Sequence, residues 1–491
     1  MLELGSLDNE EYKISQMKTM VDCIGFPKSS VEDMNCFMKT IHLLPDDLTV
    51  CTLFVVRVPA TDNMKYLVIT RLRKDCEPLV LKLAMPREDD ECDWINLANE
   101  DNVVRDFNAI FQNGILNDFS TIMQEFTECS KLETRREHMR KRTQIEKKLK
   151  RFVEKMERTL FGAWRGVLTG RRLEKDRLRM SSYIHRIQEM AVEMLGFKIE
   201  NEQLLEVLCD SFCYLLPKEV MKNLEELTGI QVDSKRLAEF SKALSSFLEE
   251  HESDDQADEL FRGPVVLILD KIIQHLPFES MPILRDQEIS RMPSLQFVNA
   301  HLLFHKNKRL QVDTNKAFYV VNPQDNLPNT EEWFYSWFST INKEWKGIAG
   351  RAPSASEFKE ALANYDLFLY SGHGCGREFL NGDDIKRLSC RAVALIMGCS
   401  SGSLIIEGDS EPKGMVLNYL LSGSPAVVGN LWNVKETDTN NFTANLLALW
   451  FQGNSSLTRC VVKSRDICTF KYLNGGATVV YGMPVYSCID K

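Results

Sequence analysis

Five continuous apolar runs in the second half of the chain constrain its fold more than any other feature. They are PVVLILD (264–270), KAFYVVNP (316–323), DLFLYSG (366–372), AVALIMG (392–398) and PAVVGNLW (425–432). A half-exposed strand alternates apolar and polar residues, whereas unbroken runs of this length suit strands buried on both faces. Between them lie stretches with helical patterning: TEEWFYSWFSTINKEW, SASEFKEALANY and GMVLNYLLSG. The alternation predicts an α/β unit, a parallel or mostly parallel sheet with helices on both sides. In such sheets chemistry collects at the carboxyl ends of the strands.

Two of the predicted strands end in polar, glycine-flanked sequence. One reads Ser371-Gly372-His373-Gly374-Cys375-Gly376, the other Met397-Gly398-Cys399-Ser400-Ser401-Gly402. If the strands are neighbours, His373 and Cys399 emerge at one edge and face each other across a cleft. A cysteine nucleophile needs a base nearby to form the thiolate, and a neutral imidazole can take that proton and later protonate a leaving amine. Gly374 lets its own N–H approach a substrate carbonyl, so the N–H groups of Gly374 and Cys399 are the candidate oxyanion hole. Each half alone is more often structural, the histidine as a hydrogen-bonded strand end and the cysteine as core packing. Together they point to a thiol hydrolase. Cys375, two residues beyond the histidine, and Cys390, ahead of its strand, are weaker candidates for the nucleophile.

The first half of the chain has a different character. Residues 50–86 carry three β-rich runs, TLFVVRV, YLVITRL and PLVLKLAMP, joined by polar connections. From about 105 to 247 the periodicity becomes helical. Ile145, Leu149, Phe152, Val153, Met156 and Leu160 recur at three- and four-residue steps between 140 and 161, predicting a long amphipathic helix, half of a helical hairpin. The stretch EEHESDDQADE (249–259) is acidic, lacks large apolar residues and marks the expected domain boundary. At 491 residues the chain exceeds one ordinary core. The expected division is a 1–48 segment without assigned role, a 49–248 domain with a helical insertion, a 249–259 linker and a 260–491 catalytic domain.

Composition narrows the setting. Fourteen cysteines are scattered with no CxxC pair and no Cys/His cluster at zinc spacing, which predicts free thiols in a reducing, cytosolic or nuclear environment and no metal. The start has no signal-peptide pattern, and no segment approaches the roughly 20 apolar residues of a membrane helix, so neither secretion nor membrane spanning is expected. The net charge is −10, yet residues 131–180 hold 18 Lys/Arg against 7 Asp/Glu. That basic segment reads as a solvated helix surface or as a contact for nucleic acid or an acidic partner. Nothing in the pattern calls for a cofactor.

The phrases PVVLILDKIIQHLPFESMPILR, SRMPSL, YVVNPQDNLPNTEEWF, DLFLYSGHGCG, IMGCSSG, GDSEPKGM and GNLWNV closely resemble the protease domain of separases, over roughly residues 258–486. The resemblance implies a caspase-like fold and a cysteine endopeptidase that cuts the kleisin subunit of cohesin after Arg at anaphase onset. It puts the family's catalytic pair on His373 and Cys399, and likens the preceding β and helical segment to a substrate-binding domain. It also implies inhibition by a securin-like chain lying in the cleft as a pseudosubstrate, and work in cytoplasm and nucleus, on spindle or chromosomes. A caspase-like peptidase with another target, or a catalytically silent scaffold, is the competing reading.

The chain departs from the family in two places. It has no room for the long helical-repeat region that usually comes first, so it is read either as a short member served by a separate helical subunit or as a fragment. After Trp432 the family's Asp-Val-Thr-Asp-x-Asp-x-Asp becomes Asn433-Val434-Lys435-Glu436-Thr437-Asp438-Thr439-Asn440. A buried guanidinium needs a carboxylate. Asp438 and Glu436 are the surviving acids, with Asp438 preferred, although the family acid can also align with Asn433 or Asn440. Ser130-Lys131-Leu132-Glu133-Thr134-Arg135-Arg136 fits the Glu-x-x-Arg pattern of family substrates, making Arg136 a candidate self-cleavage point or an ordinary helix-surface pair.

Overall fold

A computed structural model describes residues 34–58, 63–83, 109–228, 233–257, 262–305, 310–341, 345–408, 410–453 and 455–488. The chain separates into two compact units. One comprises Asp47–Val265 with Met281–Gln287; the other comprises Met1–Asp46, Val266–Ser280 and Glu288–Lys491.

The first of these units opens with an antiparallel meander of β1 (Thr49–Val58), β2 (Asn63–Arg73) and β3 (Leu79–Leu83). The predicted runs form it because alternate residues reach one face: Leu53 opposite Ile69 and Val55 opposite Leu67 are buried, while Phe54 points to solvent. Helices follow at Asn117–Glu128, Arg135–Phe161, Glu174–Leu195, Glu202–Ser211, Pro217–Thr228 and Ser234–Ala257. All six residues of the expected stripe, Ile145 to Leu160, are buried along Arg135–Phe161. This helix forms the expected hairpin with Asn117–Glu128, where Phe119 meets Phe152 at 5.4 Å. Part of the basic face is neutralised within the hairpin, since Lys141 and Lys148 pair with Glu125 and Lys155 pairs with Asp118.

The acidic stretch expected as a linker is helical instead. Ser234–Ala257 runs through it, and only residues 258 and 259 of that stretch lie outside the described part. Leu237, Phe240, Leu244 and Leu248 anchor the helix on its apolar side, and adding polar turns to a formed helix costs little. Of the 1–48 segment, residues 1–33 lie outside the described part, and the helix Met34–His42 belongs to the second unit.

Among its described residues, that second unit holds ten strands: β4 (Val265–Leu269, its first residue assigned to the other unit), β5 (Ile289–Arg291), β6 (Leu310–Val312), β7 (Ala317–Val321), β8 (Lys346–Ala349), β9 (Leu367–Ser371), β10 (Val393–Ile396), β11 (Ala426–Asn430), β12 (Thr478–Gly482) and β13 (Val485–Ser487). Eight of them line up as β4-β5-β12-β11-β10-β9-β7-β8, and β6 pairs separately with β13. Every pairing from β11 out to β8 is parallel; β12 runs antiparallel to β11 and parallel to β5. The five predicted strands are all present. β9, β10 and β11 are buried at every residue, as their unbroken apolar runs require. Leu367, Leu369, Val393, Leu395 and Val428 pack on one face against Phe442, Leu446 and Trp450 of the helix Glu436–Trp450. Phe368 on the other face meets Phe358 of the helix Ala355–Asn364 at 4.9 Å. Among the described residues no helix is long and apolar enough to cross a membrane.

Candidate active site

β9 and β10 are adjacent and parallel, with Tyr370 opposite Ile396 and the ladder ending where Met397 N donates to Tyr370 O at 2.9 Å. Their carboxyl ends therefore release the His373 and Cys399 loops side by side. The loops touch through glycine. A Cβ on Gly398 would sit 1.9 Å from the Gly374 carbonyl oxygen and 2.7 Å from that of Gly372, so no other residue allows this approach. Gly374 has φ of +61° with nothing within 4 Å of its Cβ position, leaving the space beside His373 open. Among the described residues no protein acceptor takes the N–H of Gly374 or of Cys399, the state an oxyanion site requires.

His373 is exposed, and its Nε2 lies 3.1 Å from Asn326 Oδ1. The Tyr370 hydroxyl donates to the His373 carbonyl at 2.7 Å, and burial pushes that phenol well above its usual range, so it stays a donor. Cys399 is half-buried, with Sγ 3.7 Å from the Val434 carbonyl oxygen. Ser400 follows at φ +52°, a sharp turn for a non-glycine residue, held by its N–H on the Trp432 carbonyl (3.2 Å) and its hydroxyl on Asn433 Oδ1 (3.1 Å). Asn430 at the end of β11 donates its amide to the Gly398 carbonyl at 3.1 Å and accepts from Thr478 at 2.8 Å.

The rival thiols are poorly placed for chemistry. Burial pushes Cys375 up and Cys390 up to about 12, leaving little thiolate at neutral pH. Beyond the cysteine loop a cleft of about 710 Å³ is lined by Cys375, Arg377, Ser400, Ser403, Glu407 and Lys413, among others. Among the described residues no group of three or more His, Cys, Asp or Glu is placed to hold a metal.

The two surviving acids part company. Asp438, preferred from sequence, is 2% exposed and accepts from Thr469 N (3.3 Å), Thr469 Oγ1 (2.9 Å) and the Asn474 amide. Its carboxylate is spent inside the unit. Glu436 is half-buried in the first turn of its helix, two residues beyond the Val434 carbonyl that faces Cys399, and accepts from Thr330. Asn433 is exposed and Asn440 donates to Thr330 at 3.1 Å. Arg136 is exposed as the second residue of Arg135–Phe161, whose first turn is capped by Thr134 accepting from Glu137 N. Sequence reasoning missed Asn326, although NPQDNLP after a strand carries the Asn/Pro signal of a structured turn.

Fold and loops define a class: a mixed α/β domain whose mostly parallel sheet carries a thiol and an imidazole at its carboxyl edge. Residues 62–439 match the family described as separin, protease domain, and the chain belongs to that family. The separin of Mus musculus is 31% identical over 468 residues, covering 94% of this chain and 20% of that protein. The separin of Emericella nidulans is 29% identical over 94% of this chain and 24% of its own length, and that of Schizosaccharomyces pombe 28% over 88% and 25%. The chain thus spans a fifth to a quarter of the length of these relatives. In the crystal structure of the Saccharomyces cerevisiae separase-securin complex, one chain shares the fold with a TM-score of 0.70 over 92% of this chain and 31% of its own length, at 22% identity.

Proposed function

We propose that this chain is a separase-type cysteine endopeptidase working through His373 and Cys399, and that its substrate is the kleisin subunit of cohesin, cut after Arg at anaphase onset. The observation that carries the mechanism is the contact of Gly398 with the Gly374 carbonyl, which sets the two strand-end loops against each other. His373 takes the Cys399 thiol proton, and the thiolate adds to the scissile carbonyl. The N–H groups of Gly374 and Cys399 receive the oxyanion. The imidazolium then protonates the departing amine, leaving a thioester. Water, deprotonated by the neutral imidazole, hydrolyses it and restores the thiol.

Glu436 is the better partner for the substrate guanidinium, because Asp438 already serves three donors. A securin-like inhibitor is supported by the shared fold with the yeast separase, which was crystallised in complex with securin. A separate helical-repeat subunit belongs to the same reading. Work in cytoplasm and nucleus, on spindle or chromosomes, follows from the same reading. Self-cleavage after Arg136 requires opening the first turn of Arg135–Phe161, since an endopeptidase takes extended backbone.

The test is cleavage of a kleisin fragment by the protein and by Cys399→Ser. Cutting should fall by at least about 10³-fold on loss of the nucleophile. Equal cutting by both proteins would reject the pair.

A further inference from the structure

Three neighbouring strands end at this edge in the order β10, β9, β7, and each releases one polar side chain from the loop that follows: Cys399, His373 and Asn326. We infer that Asn326 is the positioning residue of His373, fixing both the ring's orientation and the nitrogen that carries its proton. This rests on the peptidase reading above. With Nε2–H donating to Asn326 Oδ1 at 3.1 Å, the Nδ1 lone pair is the basic site left for the thiol. When the ring becomes imidazolium, the amide oxygen keeps accepting the Nε2 proton and stabilises the charge.

An orienting residue needs a fixed base, and although Asn326 is itself exposed, its backbone has one. Its loop is wrapped around one side chain, Asn322, which is 1% exposed and has φ of +50°. Asn322 Oδ1 accepts the N–H groups of Asn326 (2.9 Å) and Leu327 (2.7 Å), while its amide nitrogen donates to Glu331 at 2.7 Å. The loop is also tied to the strand end that bears the histidine. Asn322 N donates to the Ser371 carbonyl at 2.8 Å, and Gln324 donates to Glu378 across the gap. Asn322 thus fixes where Asn326 stands, and Asn326 fixes the imidazole. A side chain with only a surface role would have no such frame beneath it.

The experiment uses the 491-residue chain with Asn326→Ala and Asn326→Asp, reading cleavage of an Arg-containing fluorogenic peptide and alkylation of Cys399 by iodoacetamide, each against pH. Asn326→Ala should lower kcat/KM on the order of 10²-fold, the usual cost of a misaligned reacting pair. It should also move the acid limb of the profile to lower pH, because the imidazolium loses its acceptor and the neutral base persists further down. Asn326→Asp keeps the acceptor and adds charge, so its acid limb should move to higher pH, and it remains informative if the alanine variant fails to fold. A purely structural role would change melting temperature while leaving both limbs in place, and that result overturns the inference. If Cys399→Ser cuts as well as the parent, the peptidase reading fails first. If Cys399 is essential but both Asn326 variants keep the parental rate and limbs, only the positioning role fails.

Discussion

Gly398→Ala tests whether the contact between the two loops sets their chemistry. The added Cβ would lie 1.9 Å from Gly374 O, 2.7 Å from Gly372 O and 2.8 Å from Gly374 C, all backbone atoms that cannot rotate away. Ordinary contact begins near 3.4 Å, so a gap of about 1.5 Å must open between the loops. The His373 loop cannot absorb this freely, because Tyr370 holds the His373 carbonyl and Asn326 holds its ring. A displacement of about 1 Å commonly costs about 10²-fold in rate, and forcing a methyl into a packed site costs about 1–3 kcal/mol. The expected result is a fall in kcat/KM of at least about 10²-fold with a melting temperature lowered by roughly 3–10 °C. Peptide cleavage and thermal denaturation by circular dichroism measure the two effects. A Gly398→Ala protein with parental kcat/KM and an unchanged melting temperature would refute the reasoning, since the loops would then not be in contact.

Three further outcomes are expected. Burial holds His301 at about 3, below the usual 6.5, with His305 nearby adding to the effect, so the unfolded chain binds a proton that the folded one refuses. Its stability contribution is full above pH 6.5 and is lost as pH falls toward 3, costing about 2 kcal/mol at pH 5. Urea midpoints at pH 7.5 and pH 5 should differ in the parent and less in His301→Phe; equal differences would exclude this residue as a cause. Asp438→Ala strips the acceptor from Thr469 and Asn474 and should cost about 1–3 kcal/mol of stability. Glu436→Gln should leave the melting temperature alone while narrowing the preference for Arg over uncharged peptides; the reverse assignment would return the specificity role to Asp438.

The sheet centre was legible because burial on both faces writes an unbroken apolar run, and β4, β7, β9, β10 and β11 all follow one. β5 and β6 are three residues each and β8 is KGIA, too short for any periodicity to declare itself. The acidic run misled because charge density speaks of solvent exposure, and an exposed helical turn is as charged as a linker. His373 and Cys399 were legible from glycine-flanked strand ends. Asn326 was not, since its role depends on a strand order that one chain position cannot express. Asp438 and Glu436 look alike in sequence. Only the fold shows that Thr469 and Asn474 come back more than 30 residues later to claim one of them.

β12 lies between β5 and β11, yet it follows β5 in the chain by roughly 190 residues. It meets β11 over five residue pairs and is matched to β5 at Tyr481 opposite Arg291. Pairings across such sequence distances form late. The same strand supplies the Thr478 hydroxyl that steadies Asn430 beneath Gly398, and the Tyr481 hydroxyl that donates to the Gly402 carbonyl at 2.9 Å. The Cys399 loop therefore leans on a strand that joins the sheet only through long-range pairing.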